Sequence, residues 1–133
     1  MTKSNYTRIN AYIRSATGEE EGIARQIKDI ESYCNEHFPG LSISWFIDNH
    51  CSGNTPVNSR KAYIEMLRAT TNNEPSICIM RDVSRISRNN IEFLEAAINL
   101  MHNNATLITT TAGANDSLLD FINKIMDKKG VVR

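Results

Sequence analysis

The sequence predicts a single α/β domain, in which a mostly parallel sheet of about four to five strands has helices on both faces. Three observations predict it. Short apolar segments alternate along the chain with longer segments whose apolar residues recur every three or four positions, the order expected of β-α-β units. Residues 77–80 are apolar without a break, which is typical of a strand covered on both faces. A length of 133 residues is that of one domain, so residues 1–133 are assigned to one unit.

The first strand and the first helix have different periods. Residues 9–14 form a short segment rich in β-favouring side chains and predict a strand. Residues 19–38 predict a helix, because their apolar side chains make one stripe: Ile23, Ile27, Ile30 and Cys34. Glutamates in the first turn suit the positive end of the helix dipole, and Pro39 with Gly40 ends the helix.

The second unit follows the same order. Residues 42–47 predict a strand, since β-favouring side chains partly alternate with polar ones. Residues 48–59 contain glycine, asparagine and proline and predict a loop. Residues 60–69 predict a second helix, with Ile64 and Leu67 on one side.

The C-terminal half predicts two further helices around a last strand. Asn89 or Asn90 would cap a helix that runs to about residue 102. Its inward face is predicted to comprise Ile91, Leu94, Ala97, Ile98 and Met101. Residues 105–110 predict the fourth strand, and Asp116 or Ser117 would open a last helix to about residue 129.

The composition excludes several classes of protein. Basic and acidic residues number 15 each, and this zero net charge argues against a simple basic coat on DNA but leaves a local basic site open. We expect a cytoplasmic protein without membrane contact, because no apolar run reaches the roughly 18 residues of a membrane helix. Cys34, Cys51 and Cys78 are odd in number and far apart, which fits reduced thiols. No metal or other cofactor is expected, since histidines and cysteines lack ligand spacing.

Charged side chains gather at the carboxyl ends of the predicted strands, where open parallel sheets bind ligands. Arg14 ends the first strand, Asp48 follows the second, and residues 81–88 follow the third. The last of these segments carries Arg81, Arg85 and Arg88. Because the planar guanidinium binds phosphate oxygens two at a time, this edge predicts a phosphate site. A solvated helix start with surface ion pairs is the alternative.

Several short motifs occur in a fixed order at this edge. They are Tyr12-x-Arg14, Gln26 in the first helix, Asp48, Ser52-Gly53, Arg60, and Arg85-x-x-Arg88 after the third strand. Their order and spacing resemble the catalytic domain of serine recombinases, the resolvase/invertase family, over roughly residues 8–111.

The resemblance implies a resolvase-like fold and site-specific DNA recombination, with DNA strands exchanged through a phosphoserine intermediate and no metal. The phosphate would be met by Arg14, Arg60, Arg85 and Arg88, with Arg81 as a further phosphate contact. Asp48 would orient an arginine or help to move a proton, Tyr12 would shape the pocket, and Ser52 with Gly53 would form a mobile loop. DNA is the implied partner, and the full system would be a homodimer or higher oligomer that serves a mobile element or DNA integration.

The chain departs from the family at the nucleophile. Ala16 occupies the position of the family's serine and has no oxygen to offer. Ser15 is a candidate substitute, and Thr17 is the other nearby hydroxyl. Successive strand residues face opposite sides, so both would point away from Arg14 unless the strand ends early or bulges. Ser76 and Ser84 stand where acidic residues are expected.

Three hypotheses about function therefore stand. The first is a strand-exchange enzyme domain with Ser15 as nucleophile. The second is a catalytically silent relative that binds DNA or a recombinase and regulates assembly; it is favoured by Ala16, while the retained arginines favour phosphate contact in both cases. The third is an unrelated domain for a phosphorylated small molecule, although Gly18 stands alone where a glycine-rich loop is needed. The last helix is short, and no separate DNA-binding domain is predicted.

Overall fold

The computed structural model describes residues 6–17, 19–70, 74–87 and 89–110. In them, strands and helices alternate as the sequence predicts. The strands are β1 (Arg8–Ser15), β2 (Ile43–Asn49), β3 (Ser76–Met80) and β4 (Ala105–Thr109). The helices are α1 (Glu20–His37), α2 (Lys61–Ala69) and α3 (Asn90–His102), with short 3₁₀ turns at Val57–Ser59 and Val83–Arg85. The helix predicted over residues 116–129 lies outside the described residues.

The four strands form one parallel sheet in the order β2-β1-β3-β4. Strand β1 therefore lies between β2 and β3, and the carboxyl ends of all three meet at one edge. The register pairs Arg14 with Asp48 across β1 and β2. Since β2 runs to Asn49, Asp48 lies within the strand and not at the start of the loop, where the sequence placed it.

Alternation along β1 sends its side chains into two cores. Ile9, Ala11 and Ile13 are buried with Ile30 and Cys34 of α1. Tyr12 is buried on the opposite face, among residues of α2, α3 and the 3₁₀ turn after β3. Strand β3 is buried along its whole length, which confirms the prediction from its unbroken apolar run. The structure thus confirms a single α/β layer arrangement with helices on both faces.

The predicted inward face of α3 is wrong at three positions. Ile91, Leu94 and Ile98 are 70%, 37% and 39% exposed. The helix buries its other apolar stripe, which comprises Phe93, Ala96, Ala97, Leu100 and Met101. Both stripes have helical spacing, so the period alone does not choose between them. In the observed rotation, the Glu92 carboxylate accepts the backbone N–H of Val57 at 3.1 Å.

Helix α2 buries Ala62, Tyr63 and Met66. Ile64 and Leu67 are half-buried, and Leu67 packs against the same core. At the start of the helix, Asp48 accepts the backbone N–H groups of Ala62 and Tyr63.

Candidate active site

Arg14 is buried at the carboxyl edge of the sheet and hydrogen-bonded to its surroundings. It lies one residue before the end of β1, on the face of the sheet that carries Tyr12, and it is 3% exposed. Its guanidinium donates to three backbone carbonyls, those of Cys51 (3.1 Å), Ser84 (3.0 Å) and Arg85 (3.2 Å). One carbonyl belongs to the loop after β2 and two belong to the turn after β3. Arg14 therefore ties these two segments together.

Arg60 makes the same kind of link from the other side. It is the residue before α2, in extended conformation, and it is 1% exposed. Its Nε donates to the Thr55 carbonyl at 3.0 Å, and its Nη2 lies 3.4 Å from the Gly53 carbonyl. Its Nη1 donates to the Arg85 carbonyl at 2.7 Å and lies 3.5 Å from the Tyr12 hydroxyl. Burial of a charged side chain costs free energy unless its donors find acceptors, and each guanidinium nitrogen of Arg60 has at least one.

Asp48 holds the start of α2. Its Oδ1 accepts the backbone N–H of Ala62 at 2.9 Å, and its Oδ2 accepts that of Tyr63 at 3.2 Å. Two of the four N–H groups that a helix start leaves unpaired are thereby satisfied by a negative charge at the positive end of the dipole. The same Oδ2 accepts the Tyr12 hydroxyl at 2.7 Å.

Tyr12 joins the carboxylate to the arginine pair. Its ring packs edge-on against Tyr63, with centroids 5.4 Å apart. Burial, reinforced by the hydrogen bond to Asp48, raises the pKa of the Tyr12 phenol far above its ordinary value. The phenol therefore stays protonated at neutral pH and acts as a hydrogen-bond donor to Asp48.

Arg85 completes a group of three arginines. Its Nη1 donates to the Arg14 carbonyl at 3.1 Å, while its Nε is buried and has no partner in the part of the chain that the structure describes. Burial, followed by the positive charges of Arg60 and Arg85, lowers the pKa of Arg14. Such a cluster of like charges favours an anion beside it. The unpaired Nε–H of Arg85 is a charged donor that an anionic oxygen would satisfy.

Asp82 organises the turn that presents Arg85, a role that was not predicted from the sequence. Its Oδ1 accepts the Ser84 backbone N–H at 3.0 Å and also the Ser84 hydroxyl. Its Oδ2 lies 3.6 Å from Arg85 Nη2. Aspartate often accepts the backbone N–H two residues further on, and this turn signal was present in the sequence. Asp82 thus places a carboxylate beside Arg85, while position 84 carries a serine.

The remaining predicted arginines lie elsewhere or outside the described residues. Arg81 Nε lies 3.5 Å from the carboxylate of Asp29 on α1, so the structure directs it to the α1 side of the sheet. Arg88 lies outside the described residues. The site that the structure assembles from the predicted set therefore comprises Tyr12, Arg14, Asp48, Arg60 and Arg85.

The candidate nucleophiles lie where β1 ends. Ser15 is the last strand residue and pairs with Asn49, so its side chain lies on the α1 face of the sheet, opposite Arg14. Its carbonyl accepts the N–H of Cys51 at 3.0 Å. Ala16 follows the strand and is exposed. The strand neither ends before Ser15 nor bulges there, so neither condition that would redirect this hydroxyl is met.

Gln26 supports the same corner from α1. Its Nε2 donates to the Arg14 carbonyl at 3.2 Å, whereas its buried Oε1 has no partner among the residues described. Within the described residues, no group of three or more His, Cys, Asp or Glu side chains is placed to hold a metal ion. In the same part of the chain, no helix is both long and apolar enough to cross a membrane.

Comparisons with known proteins agree with this geometry. The family described as "Resolvase, N terminal domain" matches residues 9–127. No curated protein sequence matches the chain. Three solved structures share the fold and are similar at low identity.

The first is the N-terminal catalytic domain of TP901-1 integrase, at 21% identity and a TM-score of 0.66, covering 91% of this chain and 97% of that one. The second is the C-terminal catalytic domain of ISC1926 TnpA, an IS607-like serine recombinase, at 17% identity and a TM-score of 0.64, covering 92% and 83%. The third is a resolvase family site-specific recombinase from Streptococcus pneumoniae, at 15% identity and a TM-score of 0.63, covering 92% and 89%.

Proposed function

The chain belongs to the resolvase N-terminal domain family, and we propose that it acts in site-specific DNA recombination by binding a DNA phosphodiester at its arginine cluster. One observation carries the proposal. Arg14, Arg60 and Arg85 converge on one sheet edge, and the buried Nε–H of Arg85 lacks an acceptor among the described residues. A phosphate oxygen supplies that acceptor together with the negative charge that the cluster favours.

The chemistry at this phosphate has two candidates. In strand exchange, a serine hydroxyl gives up its proton and its oxygen attacks phosphorus to form a phosphoserine ester. The P–O bond to one DNA strand end breaks, and the departing oxygen takes up a proton to become a hydroxyl. Ser15 would have to supply that oxygen. Its place on the α1 face and the methyl group of Ala16 favour the second candidate, a domain that binds DNA or a recombinase without cutting.

DNA binding over a salt series tests the phosphate site. Arg85→Ala should reduce affinity for a short duplex and lower the slope of log K against log salt by about 0.9 for each phosphate that the variant no longer neutralises. Arg68→Ala is the matched control, since Arg68 is exposed in the last turn of α2, at the opposite edge of the sheet. Equal slopes for the native chain and Arg85→Ala would refute the site.

Covalent adducts test the chemistry. The native chain, Ser15→Ala and Ala16→Ser are each incubated with nicked duplexes and analysed by denaturing gel and mass spectrometry. A native adduct that Ser15→Ala abolishes would establish the strand-exchange candidate. An adduct formed by Ala16→Ser alone would establish the silent candidate, with a phosphate site that still accepts a nucleophile at position 16.

Assembly of copies is the remaining part of the proposal. Ile91, Leu94 and Ile98 form an exposed apolar stripe on α3, and such a stripe is buried when two copies associate through it. Sedimentation over a concentration series should show association that Ile91→Glu weakens. A native chain that stays monomeric across the series would contradict this part.

A further inference from the structure

Residues 51–55, which we call the strap, cover the arginine cluster. The strap follows β2 and precedes the 3₁₀ turn Val57–Ser59. Its carbonyls at Cys51, Gly53 and Thr55 accept the guanidinium hydrogen bonds of Arg14 and Arg60 described above. These carbonyl oxygens occupy donors that a phosphate would use.

We propose that the strap is a closed cover on the phosphate site, and that a phosphate reaches Arg14 and Arg60 only by displacing it. The inference rests on the proposed function, of which it describes the regulation. Both arginines are nearly fully buried, so a phosphate cannot reach them in the closed arrangement. Either the strap or the turn after β3 must move.

The turn after β3 is held in place by core packing and hydrogen bonds. Val83 and Ile86 anchor it in the core, and Asp82 closes it through Ser84. The strap has no buried side chain: Ser52 and Asn54 are exposed, and the others are half-buried. Opening the strap exposes little apolar surface, and the phosphate replaces the carbonyl acceptors that Arg14 and Arg60 lose, so the strap is the side that moves.

The strap is also built to move as one piece. The Thr55 N–H donates to the Ser52 carbonyl and the Asn54 N–H donates to the Ser52 hydroxyl, both at 3.0 Å, which closes a compact turn within it. His50 precedes it with φ of 52°, a left-handed conformation that marks a sharp change of chain direction. At its far end, Val57 is buried and tied to Glu92.

Gly53 sets the fit between strap and cluster. A Cβ atom at this position would lie 3.1 Å from Nη2 and 3.3 Å from Cζ of Arg14. The contact is tighter than side chains normally make, so Gly53→Ala forces strap and guanidinium apart by a few tenths of an ångström. Gly22→Ala is the matched control, because a Cβ there meets nothing within 4 Å.

Cys51 provides a native reporter of strap opening. It is half-buried in the strap, whereas Cys34 and Cys78 are buried in the two cores. Burial raises the pKa of Cys34 to about 11 and that of Cys78 to about 12, so both react slowly at neutral pH. The rate of alkylation by iodoacetamide, an uncharged reagent, therefore measures how often the strap opens. The Cys51→Ser variant gives the background rate.

The experiment has two arms, each able to overturn the proposal. Without ligand, Cys51 in Gly53→Ala should be alkylated about fivefold faster than in the native chain, the factor that corresponds to losing about one ordinary hydrogen bond from the closed state. Gly22→Ala should be alkylated at the native rate. In the native chain, inorganic phosphate should accelerate alkylation relative to chloride at equal ionic strength. A phosphate bound beside a closed strap would leave Cys51 as inaccessible as before, so the rate would not rise.

An unchanged or slower alkylation rate in either arm overturns the proposal that the strap covers the phosphate site. This result is distinct from failure of the proposed function, which appears in the DNA salt series with Arg85→Ala. DNA binding that depends on Arg85, together with no effect of phosphate on Cys51, would retain the function and exclude the strap. Circular dichroism of Gly53→Ala confirms that faster alkylation does not reflect global unfolding.

Discussion

Replacement of Asp48 by alanine is expected to be among the most destabilising single changes in the domain. Asp48 is buried, and its two oxygens accept the N–H groups of Ala62 and Tyr63 and the hydroxyl of Tyr12. The residue before α2, Arg60, makes no side-chain cap of its own. Asp48 therefore caps the helix from the neighbouring strand, and alanine leaves three donors without this acceptor.

The magnitude follows from these contacts. Loss of a helix cap costs about 1–2 kcal/mol. A buried hydroxyl left without its acceptor costs about 1–3 kcal/mol, and loss of the charge at the positive end of the helix dipole costs about 0.5 kcal/mol. Asp48→Ala should thus lower the free energy of unfolding by about 3–5 kcal/mol, within the range for removing one partner of a buried polar network. Asp48→Asn keeps one acceptor oxygen and should cost about half as much as alanine.

Urea unfolding followed by the fluorescence of Trp45 measures this directly, since Trp45 is the only tryptophan and lies on β2 with Asp48. Asp29→Ala is the control: Asp29 is partly exposed and pairs with Arg81, so it should cost under about 1 kcal/mol. A loss below about 1 kcal/mol for Asp48→Ala would refute the capping argument. If Asp48 instead serves only to orient an arginine for phosphate, DNA affinity would fall while stability stays near native.

Three further predictions follow from the same contacts. The free energy of unfolding should fall as pH rises above about 9. Burial raises the pKa values of Cys34, Cys78 and Tyr12 in the folded state, so only the unfolded chain releases these protons near pH 9–10. Urea midpoints that stay constant between pH 8 and 11 would contradict this. Asp82→Ala should cost about 1 kcal/mol in urea unfolding and weaken DNA binding, whereas Asp82→Asn, which keeps the turn acceptor, should recover most of the stability; equal losses would refute the turn argument. Arg81→Ala should reduce DNA affinity less than Arg85→Ala, since its guanidinium lies beside Asp29; an equal loss in the salt series would place Arg81 in the phosphate site.

The sequence predicts the sheet and its helices well because each element carries a local signal. Residues 77–80 are apolar throughout, and only a strand covered on both faces buries such a run at this length. Asn89 is a good cap, and it does accept the N–H groups of Ile91 and Glu92. Boundaries agree to within one or two residues for this reason. The predicted last helix is a sequence expectation only, since it lies outside the described residues.

The rotation of α3 was not predictable in the same way. Two stripes share the helical period, one through Phe93 and Ala97 and the other through Ile91 and Leu94. The choice depends on contact between distant segments, since Phe93 and Ala97 pack in the core cluster that contains Tyr12. Sequence periodicity carries no information about such a contact.

The arginine cluster shows the same limit at the site. Position and charge of Arg14, Arg60 and Arg85 follow from the order of strands, because parallel strands end at one edge. Their acceptors do not, since these are backbone carbonyls, which every residue possesses. No residue pattern announces that Cys51, Gly53 and Thr55 would supply them.

This difference changes what the retained arginines mean. Arg14 and Arg60 join the loop after β2 to the turn after β3, so the fold needs them whether or not DNA is cut. Their presence beside Ala16 is therefore compatible with a silent domain. Arg85 is different, because it is partly exposed, and its buried Nε–H has no acceptor within the described residues. An unsatisfied charged donor is costly to the fold alone, so Arg85 is the arginine whose place is best explained by an anion.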